Sequence, residues 1–192
     1  LAVNAAARGA SVAFFSLEMS KTEIAQRLLS AQARIGLMDI RSANIRDQQW
    51  PQILEATSEL SQLDIMVDDT PGTTVTEVRA KARRMLKGKE RGVVILDYLQ
   101  LVSPPSGGHR ADSRATEGSD LRESGSIEQD ADIVILLDRS MTPEEAARED
   151  RPDENITDFI IAKNRSGPLD TVHLTFLAGS TKFVEVDPHH AD

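Results

Sequence analysis

The 192-residue sequence contains no cysteine, which excludes disulfide frameworks and cysteine-based metal sites. Aromatic residues make up only 4% of the chain, so we expect a core built from aliphatic side chains. The longest apolar runs, Val93–Leu96 and Ile133–Leu137, are far shorter than the roughly 20 residues needed to cross a bilayer. No basic flank followed by an apolar segment marks a signal peptide. These absences predict a cytoplasmic protein without a membrane partner.

Basic residues are also scarce relative to acidic ones. The chain carries 22 Lys and Arg against 31 Asp and Glu, a formal net charge of −9. This balance argues against a general nucleic-acid binder, which usually has a basic excess. It leaves room for contact with DNA through a few local groups.

Strand-like and helix-like segments alternate along the chain. Capping boxes at Ser20–Glu23 and Thr74–Glu77 each predict the start of a helix. A third helix is predicted over Asp47–Leu60, with Trp50, Ile53, Leu54 and Leu60 available for a buried face, and a short one from Thr142. The predicted strands are Ser11–Leu17, Asp64–Val67, Gly92–Tyr98, Asp132–Leu137, Asp158–Lys163, Thr171–Leu177 and Thr181–Val186.

Several of these strands, including Ser11–Leu17 and Asp132–Leu137, are continuously apolar, which is typical of strands buried on both faces. Interleaved with amphipathic helices, they predict an α/β fold with a mainly parallel sheet and helices on both faces. Turn-sized gaps between the last strands indicate an antiparallel edge.

Two acidic residues lie at the carboxyl ends of predicted strands. Glu18 comes after Ser11–Leu17, and Asp97 ends the run Val93-Val94-Ile95-Leu96-Asp97. Ligands of open α/β sheets bind at the carboxyl ends of the strands. An acid after four apolar residues is the Walker B pattern, in which the carboxylate holds Mg²⁺, usually through water, beside nucleotide phosphates. The alternative is an acid that caps a loop or turns into solvent.

Four blocks of the sequence, in this order, carry a family resemblance. They are Phe15-Ser16-Leu17-Glu18-Met19-Ser20, Asp97-Tyr98-Leu99-Gln100, the thirteen residues Asp120–Asp132, and Ala162-Lys163-Asn164-Arg165-Ser166-Gly167-Pro168. Together they resemble the DnaB replicative DNA helicase family. The resemblance implies a RecA-like motor domain over residues 1–187, followed by a disordered tail at 188–192. It also implies ATP and Mg²⁺ as cofactors.

The resemblance assigns roles at the nucleotide. Glu18 matches the catalytic glutamate that polarises the attacking water, and Asp97 matches the acid on the magnesium side. Gln100 belongs to the same nucleotide-binding block. Arg27 matches the residue whose guanidinium packs on adenine, although it could also be an exposed helical arginine.

Lys163 and Arg165 match the basic pair that reaches into the neighbouring subunit's nucleotide site, with Arg165 as the arginine finger. Alternation in an extended segment would place both side chains on one face. The alternative is an ordinary basic strand end. The resemblance implies that the ring in which this pair acts is a homo-hexamer.

Asp120–Asp132 resembles the loop that lines the central channel and follows single-stranded DNA. Arg122 would pair with a phosphate, and Gly125 would leave backbone N–H groups accessible to it. Glu123 lies between them in the same loop. The alternative is a polar loop that satisfies its own backbone. Primase and a helicase loader are the other partners that the family implies.

Two features of the family are missing from the 192 residues. No Gly-x-x-x-x-Gly-Lys-Ser/Thr sequence is present to grip the nucleotide phosphates. The stretch between Asp97 and Asp120 is too short for the family's additional helix and central strand. Either the natural protein contains further residues, or this is a shortened relative without ATPase activity.

We therefore expect a replicative helicase motor that hydrolyses no ATP as the 192-residue chain. A non-catalytic assembly module is the main alternative. A related recombinase or clock ATPase is a third, against which the Asp120–Asp132 block argues.

Overall fold

The computed structural model describes residues 1–98, 131–138 and 156–185. The chain divides into two compact units, Leu1–His109 and Arg110–Asp192, and each is described by itself. Whether residues 1–187 form one domain stays a prediction. The helix predicted from Thr142 and the tail at 188–192 lie outside the described residues.

The first unit is a three-stranded parallel sheet with helices. Strands β1 (Ser11–Ser16), β2 (Ile65–Asp68) and β3 (Gly92–Asp97) lie in the order β2-β1-β3. Its helices are α1 (Ala2–Ala7), α2 (Lys21–Ala33), α3 (Leu37–Arg41), α4 (Trp50–Ser61) and α5 (Val75–Met85), with a 3₁₀ turn at Asp47–Gln49.

Helices cover both faces of this sheet. Successive side chains of β1 point to opposite faces, so β1 packs against helices on each side. Val12 and Phe14 pack with Ala2 and Ala6 of α1. Ala13 and Phe15 face the other way and pack with α5. Val12 and Ala13 have no exposed surface, so β1 is the buried centre of the unit, as its continuous apolar sequence predicts.

The two predicted capping boxes are both present. The Ser20 hydroxyl accepts a hydrogen bond from the Glu23 N–H, and the Glu23 carboxylate accepts one from the Ser20 N–H. Thr74 and Glu77 make the same reciprocal pair at the start of α5. These bonds satisfy N–H groups that the first turn of a helix leaves without partners.

The predicted helix over residues 47–60 is confirmed, but the buried face assigned to it is partly wrong. Ile53 and Ala56 are buried against Ala33 and Ile35, whereas Trp50 and Leu54 are 49% and 66% exposed. Ile53 and Ala56, three residues apart, lie on the same face of the helix and form the packed face. Leu54 lies on a different side of the helix. Helix α3 was not predicted.

The second unit contains an antiparallel sheet in the order β4-β5-β6-β7. Its strands are β4 (Ile133–Asp138), β5 (Ile156–Asn164), β6 (Thr171–Leu177) and β7 (Lys182–Glu185). The antiparallel pairing of the last strands is as predicted. A register shift between Val134 and Ile135 interrupts the β4–β5 ladder.

The prediction that β4 is buried is wrong. Ile133, Ile135, Leu136 and Leu137 are each more than half exposed. An apolar strand is buried only where other elements cover its faces, and no helix occurs among the described residues of this unit.

The predicted fold class is confirmed: an α/β protein with a parallel sheet covered on both faces and an antiparallel part. Within the described segments, none of the helices has the length and apolar character needed to span a membrane.

Candidate functional site

The carboxyl ends of β1 and β3 lie side by side at one edge of the parallel sheet. Ser16 and Asp97 are register partners, and the Leu17 N–H donates to the Asp97 carbonyl oxygen at 2.8 Å. The strand pairing thus continues one residue past β1 and stops beside Glu18. The two acids predicted from the sequence share the edge at which open α/β sheets bind ligands.

A short turn presents Glu18 at this edge. Ser16 is only 1% exposed, and its hydroxyl accepts a hydrogen bond from the Met19 N–H at 3.2 Å. The bond closes a turn that leaves Glu18 exposed beyond the strand end. Asp97 is exposed as well, and neither carboxylate makes an ion pair with a described residue. Both are therefore free to act on a ligand.

Strand β2 contributes another acid to this edge. Asp68, its last residue, pairs with Phe15 of β1. Its carboxylate oxygens lie 2.8 and 2.9 Å from the Lys81 ammonium nitrogen. Burial raises the pKa of Asp68, but hydrogen bonds from Lys81 and Thr70 outweigh it and hold this pKa below its ordinary value. Asp68 is already neutralised, unlike Glu18 and Asp97.

Sequence reasoning placed Asp68 in a turn and missed its position in the edge. The signal was available, because Ile65-Met66-Val67-Asp68 repeats the pattern of apolar residues followed by an acid. Lys81 lies thirteen residues further on, in α5, so only the fold could identify the pair.

Helix α2, which carries Arg27, is anchored to the same edge. The Lys21 N–H at its start donates to the Asp69 carboxylate at 2.9 Å. Arg27 lies one turn beyond Glu23 and is exposed. A backbone hydrogen bond at Ser20 is the main reason that the pKa of Glu23 is lowered, and the charges of Arg41 and Arg27 contribute. Arg27 thus stands close to the edge without a fixed partner.

The described residues of this edge fit the magnesium side of a nucleotide and magnesium site. Carboxylate oxygens are suitable partners for Mg²⁺ and its bound waters, so Asp97 and Glu18 fit the metal side. No group of three or more His, Asp or Glu side chains among the described residues could hold a metal ion by itself. Further donors, such as phosphate oxygens, would be needed.

The basic pair lies in the second unit. Lys163 is the last residue but one of β5 and pairs with Val134, while Arg165 begins the bend that follows the strand. The Arg165 guanidinium lies 2.9 Å from the Asp132 carboxylate, and the backbone N–H of Arg165 donates to the Asp132 carbonyl oxygen, also at 2.9 Å. Because Arg165 has left the strand, strict alternation no longer orients it relative to Lys163.

Four predicted site residues lie outside the described residues: Gln100, Arg122, Glu123 and Gly125. Their proposed roles stay predictions, as do the roles of the placed residues.

The model of the DnaB-like helicase C-terminal domain family matches residues 1–118 and 107–185. The two matches meet within the stretch in which the sequence predicts a missing helix and strand.

Curated relatives match nearly the whole chain. The replicative DNA helicase DnaB of Mycobacterium intracellulare is 39% identical over an alignment covering 93% of this chain and 36% of the relative. The replicative DNA helicase DnaC of Bacillus subtilis (strain 168) is 34% identical, with coverages of 95% and 47%. The chain therefore spans between about a third and a half of the length of these relatives.

The alignments contain an internal deficit. Because 93% of 192 residues is about 179, an alignment of 217 positions leaves about 38 positions of the Mycobacterium relative without a counterpart here. The Bacillus relative gives the same deficit, since about 182 residues align over 220 positions. If these positions form one stretch, it is long enough for a helix and a strand.

Two solved structures share the fold. One is of an ATPase domain, with a TM-score of 0.79, 29% identity and coverage of 97% of this chain and 78% of that chain. The other is of a DnaB-like replicative helicase and its interactions with primase, with a TM-score of 0.80, 29% identity and coverages of 97% and 53%. Fold, family model and relatives agree, and the chain belongs to the family of DnaB-like helicase C-terminal domains.

Proposed function

We propose that this chain is part of the motor of an ATP-driven replicative DNA helicase that works in the cytoplasm and translocates on single-stranded DNA at the replication fork. The observation that carries the proposal is the pairing of β1 with β3, which puts two exposed carboxylates, Glu18 and Asp97, at one sheet edge. Membership of a family whose curated relatives are replicative helicases supports this choice among phosphate-handling activities.

In the proposed reaction ATP is hydrolysed with Mg²⁺, which would supply charge neutralisation on the phosphates. Asp97 would hold the metal, and Glu18 would accept a hydrogen bond from the attacking water and orient it. Arg27 packs on the adenine ring, and Gln100 contacts the nucleotide beside Asp97. The exposure of Glu18 and Asp97 in the described structure is compatible with these contacts.

Lys163 and Arg165 act on the nucleotide held by the next subunit of a homo-hexamer. A guanidinium supplied in trans stabilises the charge of the transferring phosphoryl group, and such a residue is worth roughly 10³–10⁵ in turnover. The ring places Arg122, Glu123 and Gly125 along the central channel, where contacts to the DNA backbone read no sequence. Primase and a helicase loader are the proposed protein partners, and a DnaB-like neighbour is known with primase.

The first test measures Mg²⁺-dependent ATP hydrolysis and duplex unwinding by the protein in its natural full length. We expect Glu18→Gln to lower turnover by at least about 100-fold, since a neutral amide orients water poorly and cannot take its proton. Glu55→Gln, at an exposed position of α4, is the matched control and should leave turnover unchanged. Unchanged hydrolysis in Glu18→Gln would remove Glu18 from the mechanism.

A second test asks whether Arg165 acts across a subunit interface. Glu18→Gln and Arg165→Ala subunits are each expected to be inactive alone. Mixed one to one in a ring, they leave about a quarter of the interfaces with both wild-type residues, so part of the activity should return. Mixed rings as inactive as either parent would contradict the action of Arg165 in trans.

A second candidate function is a non-catalytic module that joins a ring without using nucleotide. The internal deficit of about 38 positions favours it, because a missing central strand would disrupt the site. We expect the 192-residue chain by itself to hydrolyse no ATP. Mg²⁺-dependent turnover by this chain, lost on Glu18→Gln, would refute that expectation. Incorporation into rings without nucleotide binding would favour the module.

A further inference from the structure

Glu18 lies in a short turn that joins strand β1 to helix α2. Ser16, the last residue of β1, precedes it by two positions, and Ser20, the N-cap of α2, follows it by two. The Glu18 carboxylate is exposed and makes no ion pair with a described residue. The position from which Glu18 can act is therefore set by the backbone of the turn.

Two hydrogen bonds fix the residues directly before and after Glu18. The Leu17 N–H donates to the Asp97 carbonyl oxygen at 2.8 Å, which continues the pairing of β1 with β3. The Met19 N–H donates to the Ser16 hydroxyl at 3.2 Å, which turns the chain back toward the end of β1. Both neighbours of Glu18 are thus tied to the carboxyl edge of the parallel sheet.

The Ser16 hydroxyl is the buried side-chain acceptor of this turn. Ser16 is 1% exposed, so packing restricts its side chain and water competes little for its hydroxyl. The next N–H along the chain, that of Ser20, donates to the Glu23 carboxylate at 3.1 Å, but the side chain of Glu23 is 42% exposed. Ser16 is therefore the more rigid of the two side-chain anchors around Glu18.

The position of Ser16 in the sheet connects it to both exposed acids of the edge. A serine that accepts a hydrogen bond from a nearby backbone N–H is a common turn motif, and by itself it implies no function. Here the register partner of Ser16 is Asp97, and the turn that its hydroxyl closes carries Glu18. One buried side chain thus links the strand end at Asp97 to the turn at Glu18.

We propose that Ser16 is a positioning residue for Glu18. Its buried hydroxyl holds the Met19 N–H and so fixes the point from which the Glu18 carboxylate reaches the attacking water. The inference rests on the proposed function, in which Glu18 orients that water. A misplacement of about 1 Å can lower turnover by roughly 100-fold, and we expect the loss of this one hydrogen bond to cause part of such an effect.

The test measures steady-state ATP hydrolysis by variants of the protein in its natural full length. Ser16→Ala should lower kcat about tenfold and change the KM for ATP by less than about twofold, because the hydroxyl positions Glu18 and does not bind the nucleotide. In the Glu18→Gln background the same substitution should cause no further loss, since no carboxylate is left to position. Ser16→Thr keeps the hydroxyl in a strand position and should retain kcat within about threefold.

Ser30→Ala is the matched control. Ser30 has no exposed surface, and its hydroxyl donates to the Ile35 carbonyl oxygen at 2.6 Å near the C-terminal end of α2. The control removes an equally buried hydroxyl that holds the backbone at another place, and it should leave kcat unchanged.

Hydrogen exchange gives a readout that does not depend on turnover. In Ser16→Ala the Met19 amide should exchange faster, which mass spectrometry of the peptide 15–20 would detect, and Ser30→Ala should leave this peptide unchanged. Unchanged exchange in Ser16→Ala, or an unchanged kcat while Glu18→Gln is impaired, would overturn the inference alone. Further loss from Ser16→Ala in the Glu18→Gln background would also overturn it, because Ser16 would then act on the fold in general. Normal hydrolysis by Glu18→Gln, or none by the unchanged protein, would instead refute the proposed function and the inference with it.

Discussion

The acidic residues at the carboxyl edge of the parallel sheet differ in whether their side chains are ion-paired. Asp68 and Asp97 end strands β2 and β3, and Glu18 lies just beyond β1, yet among the three only Asp68 is held by an ion pair with a described residue, Lys81. A neutralised carboxylate that accepts hydrogen bonds from Lys81 and Thr70 is suited to fixing the loop after β2. Glu18, two residues beyond β1, and Asp97, the last residue of β3, are exposed and make no ion pair with a described residue. We therefore assign Asp68 a structural function and keep the catalytic proposal for Glu18 and Asp97.

The Asp68–Lys81 pair predicts a pH dependence of stability. The pKa of Asp68 is lowered in the folded protein, so its contribution is present above the ordinary aspartate pKa and is lost as the pH falls through the lowered folded value. Asp68→Asn should reduce the free energy of unfolding by about 1 kcal/mol at pH 7 and flatten its decline below about pH 4.

Urea unfolding of Asp68→Asn at pH 7, 5 and 3 would measure this effect. Glu90→Gln, at an exposed residue for which no partner is described, is the control and should follow the unchanged protein. A variant that loses the same stability at every pH would show that charge on Asp68 is not the cause.

Helices and strands were predicted well where the signal is local. The capping boxes at Ser20 and Thr74 involve residues only three positions apart, and both form. The strand at Ser11 was predicted from its own apolar sequence. The exposed side of α4 and the open faces of β4 were not, because they depend on which elements pack against them. A single apolar residue such as Leu54 carries no sign of what it will meet.

The same reasoning applies to the candidate site. The strand-end pattern predicted Glu18 and Asp97 at one edge, since parallel strands bring their carboxyl ends together. The link between Arg165 and Asp132 spans 33 positions and follows from strand pairing, which short motifs do not encode.

The start of α5 offers an element-scale prediction. The Thr74 hydroxyl accepts the Glu77 N–H and also contacts the Glu77 carboxylate at 2.9 Å. Thr74→Ala should lower the free energy of unfolding by about 1 kcal/mol, because one N–H of the first turn loses its acceptor. Thr76→Ala, two residues later at an exposed position inside the helix, is the control. If the two variants lose equal stability in chemical unfolding, capping is not responsible for the loss at Thr74.

At the scale of the whole molecule, exposed apolar surface and the alignment deficit point to the same conclusion. Val94 of β3 is 48% exposed, and four large apolar residues of β4 are more than half exposed. Apolar patches of this kind mark surfaces that another element or chain covers. About 38 positions of the Mycobacterium relative have no counterpart in this chain, and the two family-model matches meet at residues 107–118, between these two strands in the sequence.

We expect the natural protein to be larger than the 192 residues. The calculated mass of the chain is 21.0 kDa, and 38 residues at its own mean residue mass would add about 4 kDa. Intact mass spectrometry of the protein from its source, with peptide mapping across Leu1 and Gly118-Ser119, measures this directly. A larger mass, with a phosphate-gripping peptide before Leu1 and new peptides between Gly118 and Ser119, would mean a complete motor in which both β3 and β4 are covered. A mass of 21.0 kDa would mean that the deletion is real. The exposed strands would then have to be covered by other chains. Membership of the helicase family would in that case describe the ancestry of the protein and not its activity.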